Sequence, residues 1–345
     1  MKKVIQPVLI ATVAVIVSAC STVGVIVPVT KPAEINLKGK NEIIVNDIVP
    51  GDPGNSDLVR GGQILADMVR EGLAESNFKI IDRNHLGSIM AELQLGSSDL
   101  ASPEGQAKLG KIMTGSVMVS GRMDNYDAGD KVTGEKRECT RYEGDTEIRY
   151  RCVVYTRTAG SNVRASFNVI DVASAQNLKT KVLTCKNSAT TKATDAVPDE
   201  IDLDALREEC ARQVAADFNK VIAPWTQHLK AFFQKDGSLP TLETGIQYAQ
   251  AGDWESAIAN FQKAIDEAAT NPKIKPKAAA YAHWNMGLAL EFTGKFDEAI
   301  VHVKKAYEIS NNKDYLGEID NIKKMKADQA KLEEQQRDSG ASSHQ

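Results

Sequence analysis

The sequence predicts an α/β domain followed by an all-α domain of helical repeats. From residue 42 to residue 123, short apolar segments typical of strands alternate with segments of helical periodicity, which favours a sheet covered by helices. A 14-residue pattern at residues 251–264 recurs 42 residues later at residues 293–306, as expected of a helical repeat. The 345 residues are enough for two domains of ordinary size.

Composition and charge exclude several classes of protein. The chain has 42 basic and 46 acidic residues, a net charge of −4, and 42% hydrophobic residues. These values are ordinary for a globular protein and exclude a polytopic membrane protein. No basic block is present to neutralise phosphates, so we expect no nucleic-acid partner.

The N-terminus resembles an export signal. Lys2 and Lys3 precede an apolar stretch at residues 8–19, which predicts a signal peptide over residues 1–19. The stretch ends in Val17-Ser18-Ala19-Cys20, which resembles the bacterial lipobox, so we expect Cys20 to carry the lipid (palmitate among its chains). This resemblance implies an outer-membrane lipoprotein that faces the periplasm, with residues 20–40 as a lipidated tether.

An uncleaved membrane helix is the alternative interpretation of this region. Apolar residues resume after Cys20, so that residues 8–29 nearly reach the length that spans a bilayer. Gly24, Pro28 and the polar cluster around Cys20 disfavour such a helix.

Four further cysteines, at positions 139, 152, 185 and 210, are expected to form disulfides in an oxidising compartment. Four cysteines permit three pairings. We favour Cys139–Cys152, across a hairpin that turns near Gly144, and Cys185–Cys210, between a strand end and the following helix. Four free thiols remain the alternative.

The elements of the first domain are predicted in the following order. They are a strand at residues 42–47, a helix from Leu58, a strand at residues 78–81, helices that begin at Asp82 and at Ser102, and a strand at residues 115–123. A strand at residues 163–169, a strand at residues 178–185 and a long helix from Asp202 to Trp225 complete the domain, which we place at residues 41–235. Pro224 is expected to kink or end that helix.

The first domain resembles a known family. Four segments resemble the curli-secretion-channel lipoproteins (CsgG-like): Phe78-Lys79-Ile80-Ile81-Asp82-Arg83-Asn84-His85-Leu86, Met90-Ala91-Glu92-Leu93, Leu109-Gly110-Lys111-Ile112 and Gly115-Ser116-Val117-Met118-Val119-Ser120-Gly121. The architecture is also similar to the N-terminal domain of TolB and to outer-membrane activators of penicillin-binding proteins. The resemblance implies a lipoprotein of the cell envelope, with a homo-oligomer as a possibility.

Membrane insertion is where the sequence departs from that family, whose members use two long hairpins to form a pore. Here the first corresponding segment, residues 126–161, has 14 charged residues among 36, and they lie on both faces of its first arm. The second segment, residues 186–201, has no apolar face. Charges on a lipid face cost a few kcal/mol each near the bilayer midplane, so we expect neither hairpin to insert.

The 42-residue recurrence resembles the tetratricopeptide repeat, a pair of helices that presents a groove to peptides or protein segments. We place this domain at residues 240–336, with a capping helix at residues 315–334 and a flexible tail at residues 337–345. Aromatic and polar side chains of the repeats are the candidates for binding a partner, although packing is their first expected role: Tyr248, Trp254, Trp284, Asn285 and His302.

No motif of catalysis, metal binding or cofactor binding is present in the sequence. The five histidines lie on different predicted elements, and we expect neither enzymatic activity, nor a metal, nor a cofactor. The leading hypothesis is a lipid-anchored periplasmic adaptor that binds envelope proteins or their peptide segments in an assembly or secretion system. An activator of a cell-wall synthase and a component of a secretion channel are the alternatives.

Overall fold

The computed structural model describes residues 22–76, 78–81 and 115–341. Its elements are β1 (Thr22–Lys31), β2 (Glu42–Pro50), α1 (Ser56–Ala74), β3 (Lys79–Ile80), β4 (Ser116–Glu143), β5 (Thr146–Asp171), β6 (Gln176–Thr194), α2 (Leu203–Ile222), β7 (Trp225–Gln234), α3 (Pro240–Gln250), α4 (Trp254–Thr270), α5 (Pro276–Phe292), α6 (Phe296–Ser310) and α7 (Asp314–Ala341). The predicted signal peptide, Cys20 and the helices predicted from Asp82 and Ser102 lie outside the described residues.

The described chain forms two compact units. An α/β unit contains residues 30–225 and 328–341, and a helical unit contains residues 22–29 and 226–327. The predicted combination of an α/β domain with a helical region is therefore confirmed. The predicted boundary at residue 235 differs from the structure, because β7 after Trp225 belongs to the helical unit. The predicted boundary at residue 336 also differs, because α7 from Asp328 belongs to the α/β unit.

A five-stranded mixed sheet forms the α/β unit, in the order β3-β2-β4-β5-β6. Strand β2 runs parallel to β3 and β4, whereas β4, β5 and β6 are antiparallel. Helices α1 and α2 share the core with the sheet, where the rings of Phe167 and Phe218 stack with centroids 4.2 Å apart. Because Gly62 of α1 has no Cβ, it can approach the backbone carbonyl of Ile48 closely.

Both helices begin at side-chain caps. Asn55 Oδ1 accepts from the backbone N–H groups of Asp57 and Leu58 at the start of α1. Asp202 accepts from Ala205 N–H at the start of α2, the helix that the sequence predicts from this residue. Helix α2 ends at Ile222, two residues before Pro224. Assigning Trp225 to this helix was wrong, because the proline prevents continuation and Trp225 is the first residue of β7.

Strands β4, β5 and β6 continue far beyond the core as a three-stranded ribbon. The register of β4 with β5 extends to the Glu143–Thr146 pair, around a turn in which Gly144 has a φ of +59°. Strand β6 was predicted to end at Cys185, but it continues to Thr194, opposite Val154. Apolar periodicity could not reveal this extension, because the backbone of β5 pairs with it while its side chains remain polar.

Two helical hairpins, α3–α4 and α5–α6, and the first part of α7 form the helical unit together with a two-stranded sheet of β1 and β7. The predicted tether at residues 20–40 is wrong for residues 22–31, which form β1. Its alternate valines pack into the core of this unit: Val23, Val25, Val27 and Val29. Pro28 is compatible with a strand because β1 lies at the edge of a sheet.

The predicted flexible tail at residues 337–345 is wrong for residues 337–341. Helix α7 continues to Ala341. The side chain of Gln335, 7% exposed, accepts a hydrogen bond from Ala33 N–H and donates to the carbonyls of Ala33 and Ile35. This contact stabilises the end of a helix whose sequence is polar and was therefore expected to be loose.

Candidate functional site

The five predicted partner-binding residues are distributed over four helices and do not form one site. Tyr248 lies on α3, Trp254 begins α4, Trp284 and Asn285 lie on α5, and His302 lies on α6. Tyr248 is 40% exposed, whereas Trp284 is 9% exposed and Asn285 is fully buried. Only part of the predicted set is therefore accessible to another molecule.

The side-chain amide of Asn285 is hydrogen-bonded to the backbone of the same chain. Its Nδ2 donates to the carbonyl of Gln234 at 2.7 Å, and its Oδ1 accepts from Gln234 N–H at 2.8 Å. An amide that satisfies both groups of one backbone residue is typical of how proteins hold an extended segment. Asn285 was predicted to contact a partner; in this structure its side-chain amide is hydrogen-bonded to strand β7.

Trp284 contacts the same strand. Its Nε1 donates to the carbonyl of Phe232 at 2.9 Å, and its ring stacks on Tyr315 with centroids 4.5 Å apart. Burial raises the pKa of Tyr315 to about 12, with the neighbouring Tyr281 as a smaller cause. Trp284 thus serves packing in this structure, the role that the sequence analysis expected first.

The sheet of β1 and β7 covers this face of α5. Ala231 and Phe233 point into the core, whereas Ile26 and Phe232 point outwards and are 67% and 50% exposed. This sheet was not predicted, because the residues of β1 were expected to form a tether and Trp225 was expected to lie in a helix. The signal was present as alternation with period two in both segments.

Trp254 is half-buried and serves packing between the hairpins. Its ring centroid lies 6.5 Å from that of Phe233 and 5.7 Å from that of Phe292. Asp253 accepts from Ser256 N–H and caps α4, and these hydrogen bonds lower the pKa of Asp253. Tyr248 is the candidate that remains exposed on the first hairpin.

His302 faces a second histidine that the sequence analysis did not select. Its Nδ1 lies 3.1 Å from Nδ1 of His283 on α5, and both side chains are half-buried. Burial lowers the pKa of both imidazoles. For His283, burial together with the smaller effects of His302 and Lys305 lowers the pKa to about 4. Nothing in the 19-residue spacing predicts this contact, because it arises from the pairing of two helices.

Two disulfides join the four cysteines in the favoured pairs. Cys139 and Cys152 connect the two arms of the β4–β5 ribbon, and Cys185 and Cys210 connect β6 to α2. Cys185 lies within β6 rather than at its end, because the strand is longer than predicted. Cys210 is fully buried in the α/β core.

The ribbon is charged on its exposed surface. Arg137 pairs with Glu135 at 2.5 Å, and Arg149 pairs with Glu147 at 3.2 Å. The hydrogen bond from Arg137 lowers the pKa of the Glu135 carboxyl. These residues are two positions apart, so each pair lies on one face of its strand.

Within residues 22–76, 78–81 and 115–341, no group of three or more histidine, cysteine, aspartate or glutamate side chains is arranged to hold a metal ion. In the same residues, no helix has the length and apolar character needed to cross a membrane.

Two known families match separate parts of the chain. The family described as "Curli production assembly/transport component CsgG" matches residues 48–140, from the end of β2 into the β4 arm of the ribbon. A family described as a domain of unknown function (DUF6340) matches residues 243–334, which contain the helical hairpins. Residues 48–140 are therefore similar to the CsgG family, and they lie within the wider region for which that resemblance was predicted. No curated protein matches the chain.

Two solved structures are among those similar to the chain. Lipoprotein GNA1162 from Neisseria meningitidis is 11% identical over 43% of this chain and 81% of that chain, with a TM-score of 0.28. The PelC dodecamer from Paraburkholderia phytofirmans is 13% identical over 58% of this chain and 99% of that chain, with a TM-score of 0.23. At these scores the likeness carries no argument about this chain.

Proposed function

We propose that this chain is a lipid-anchored protein of the bacterial outer membrane, facing the periplasm, which binds a protein partner in an envelope assembly or secretion system. The observation that carries the proposal is the CsgG-like domain at residues 48–140, joined in one chain to a unit of helical hairpins. The proposal includes no catalytic step.

The two disulfides support an envelope location. Disulfides persist in oxidising compartments such as the periplasm and are rare in the cytosol. In this proposal Cys20 carries the lipid, and β1 begins two residues later at Thr22. Two residues of extended chain span about 7 Å, so the anchor holds the helical unit close to the bilayer surface rather than on a long tether.

Replacing Cys20 tests the anchor. The full chain with Cys20→Ala, expressed in a Gram-negative host, should move from the outer-membrane fraction to the soluble fraction, whereas Cys139→Ala together with Cys152→Ala should leave it in the membrane. Mass spectrometry of the unaltered protein should find the acyl chains on Cys20. Membrane association that does not change in the Cys20 variant would contradict the anchor.

The helical hairpins supply the proposed partner surface. Their arrangement in pairs, offset by 42 residues, is similar to tetratricopeptide repeats, and such helices bind segments of other proteins through exposed aromatic and polar side chains. Since β7 occupies Trp284 and Asn285, we place the docking site on the first hairpin, around Tyr248.

Site-specific crosslinking tests this surface in the cell. A photoreactive residue at Tyr248 of the full chain should capture one envelope protein. The same residue at Val301, which is 64% exposed on α6, serves as the matched control and should not capture it. In the chain without a photoreactive residue, Tyr248→Asp would remove the contact, so copurification of that same protein should fall. Equal capture from both positions would contradict a specific site.

A secretion-channel component is the second candidate, and the length of the ribbon favours it. Strands β4 and β5 have 28 and 26 residues and extend well beyond the core. Against it stand the charged pairs on the exposed faces of the ribbon. The purified full-length protein, reconstituted in planar bilayers, would conduct ions if this second candidate were correct and would remain silent if the adaptor proposal were correct.

A further inference from the structure

Two imidazoles meet between the helices of the second hairpin. His283 on α5 and His302 on α6 place their Nδ1 atoms 3.1 Å apart, and their ring planes are inclined by 33°. Both side chains are half-buried, and they line a surface depression with Val301, Lys304, Lys305 and Glu308. Solvent therefore reaches the pair from one side.

The distance between the two nitrogens matches that of two ligands on one metal ion. Zinc binds imidazole nitrogen at about 2.0–2.1 Å, so two nitrogens on a tetrahedral ion lie about 3.3 Å apart, and two nitrogens at a right angle lie about 2.9 Å apart. The observed 3.1 Å lies between these values. A small movement of two side chains at the surface would admit an ion between them.

The protonation state of the pair also suits metal binding. A metal ion binds the neutral imidazole, and protons compete for the same nitrogen. Burial lowers the pKa of both histidines, which favours the neutral imidazole. Of the neighbouring charged groups, Glu298 acts on His302 and favours a cation, whereas Lys305 acts on His283 and opposes one. Lys305 is itself paired with Glu308 at 3.2 Å.

We propose that His283 and His302 bind one divalent transition-metal ion of the zinc and copper class, with water at its remaining positions. Imidazole is a preferred ligand for these metals, and hard cations such as magnesium prefer oxygen ligands. The site joins α5 to α6, so the bound ion stabilises the second hairpin. This inference is independent of the proposed function, because it rests on residues of the second hairpin that the partner surface around Tyr248 does not use.

Calorimetry with zinc chloride on the metal-free full chain tests the site. We expect one saturable ion per chain and a rise in the melting temperature of the helical unit. His283→Gln and His302→Gln should each reduce the affinity at least about tenfold, since one of two protein ligands is lost. His228→Gln, which removes an exposed histidine of β7, should leave the affinity unchanged. Magnesium should give no heat above dilution.

A second measurement does not depend on the variants folding. Electron paramagnetic resonance of the unaltered chain with one equivalent of copper(II) should show hyperfine coupling to two imidazole nitrogens. Absence of saturable zinc binding, coupling to fewer than two nitrogens, or equal loss of affinity in the His228 variant would each overturn the proposal. In that case the 3.1 Å contact is a hydrogen bond between two neutral imidazoles.

Discussion

The side-chain amide of Asn285 on α5 pairs with both backbone groups of Gln234, the last residue of β7. Both partners lie within the helical unit, and Asn285 is fully buried. A buried amide that is satisfied in this way makes the position of β7 on the helices specific, because any shift along the strand would leave its polar atoms unpaired.

Replacing Asn285 should therefore destabilise the helical unit. Asn285→Leu leaves the N–H and the carbonyl of Gln234 without partners, at a cost of about 2–3 kcal/mol in the free energy of unfolding. Urea denaturation measures this loss, and hydrogen exchange should show faster exchange of the Gln234 amide. Asn321→Leu, at an exposed position of α7, should change stability by less than about 0.5 kcal/mol. Equal losses in the two variants would contradict the role of the amide.

Gly287 of α5 allows close approach to α6. A Cβ at this position would lie 2.6 Å from Val303 Cγ2 and 3.3 Å from the carbonyl of Ala299. Gly287→Ala should destabilise the unit by about 1–3 kcal/mol, because the helices must separate. Gly317→Ala is the matched control within α7, where a Cβ meets nothing within 4 Å, and it should stabilise the unit by up to about 1 kcal/mol. If thermal denaturation shows a change in stability of the same sign for both variants, the close contact at Gly287 is refuted.

The two disulfides should differ in their effect on global stability. Joint replacement of Cys185 and Cys210 by alanine removes a link across 25 residues between β6 and α2, which should cost roughly 3 kcal/mol of the free energy of unfolding. Joint replacement of Cys139 and Cys152 releases only the exposed ribbon, so it should increase proteolysis near Gly144 with a smaller loss of global stability. Denaturation and limited proteolysis of the two double variants measure this difference, and the reverse order would contradict it.

The histidine pair should make the stability of the helical unit sensitive to acid. The pKa of His283 is lowered from 6.5 to about 4, mainly by burial. Between these pH values the unfolded chain binds a proton that the folded chain does not, so stability is lost as the pH falls from 6.5 towards 4. In the presence of a chelator, His283→Gln should have a smaller drop in the urea midpoint between pH 7 and pH 4.5 than the unaltered chain. His228→Gln should retain the full drop.

Local patterns were sufficient for much of the fold. Helical periodicity predicted α1 from Leu58 and α2 from Asp202, close to where the structure begins these helices. The turn at Gly144 is equally local. The polar end of β6 was not predictable, because only its hydrogen bonds to β5 define it as a strand.

Within the described residues, amino-acid order alone predicted β2, α1, β3, the start of β4 and helix α2 in their order, the 42-residue recurrence of helical hairpins and the disulfide pairs that were favoured. Tertiary structure alone decided that Asn285 and Trp284 are hydrogen-bonded to the backbone of β7, and that the imidazoles of His283 and His302 are in contact. The physical reason is range: caps and periodicity act over a few residues, whereas these contacts join residues 19 to 52 positions apart. Such contacts depend on how complete elements pack against one another.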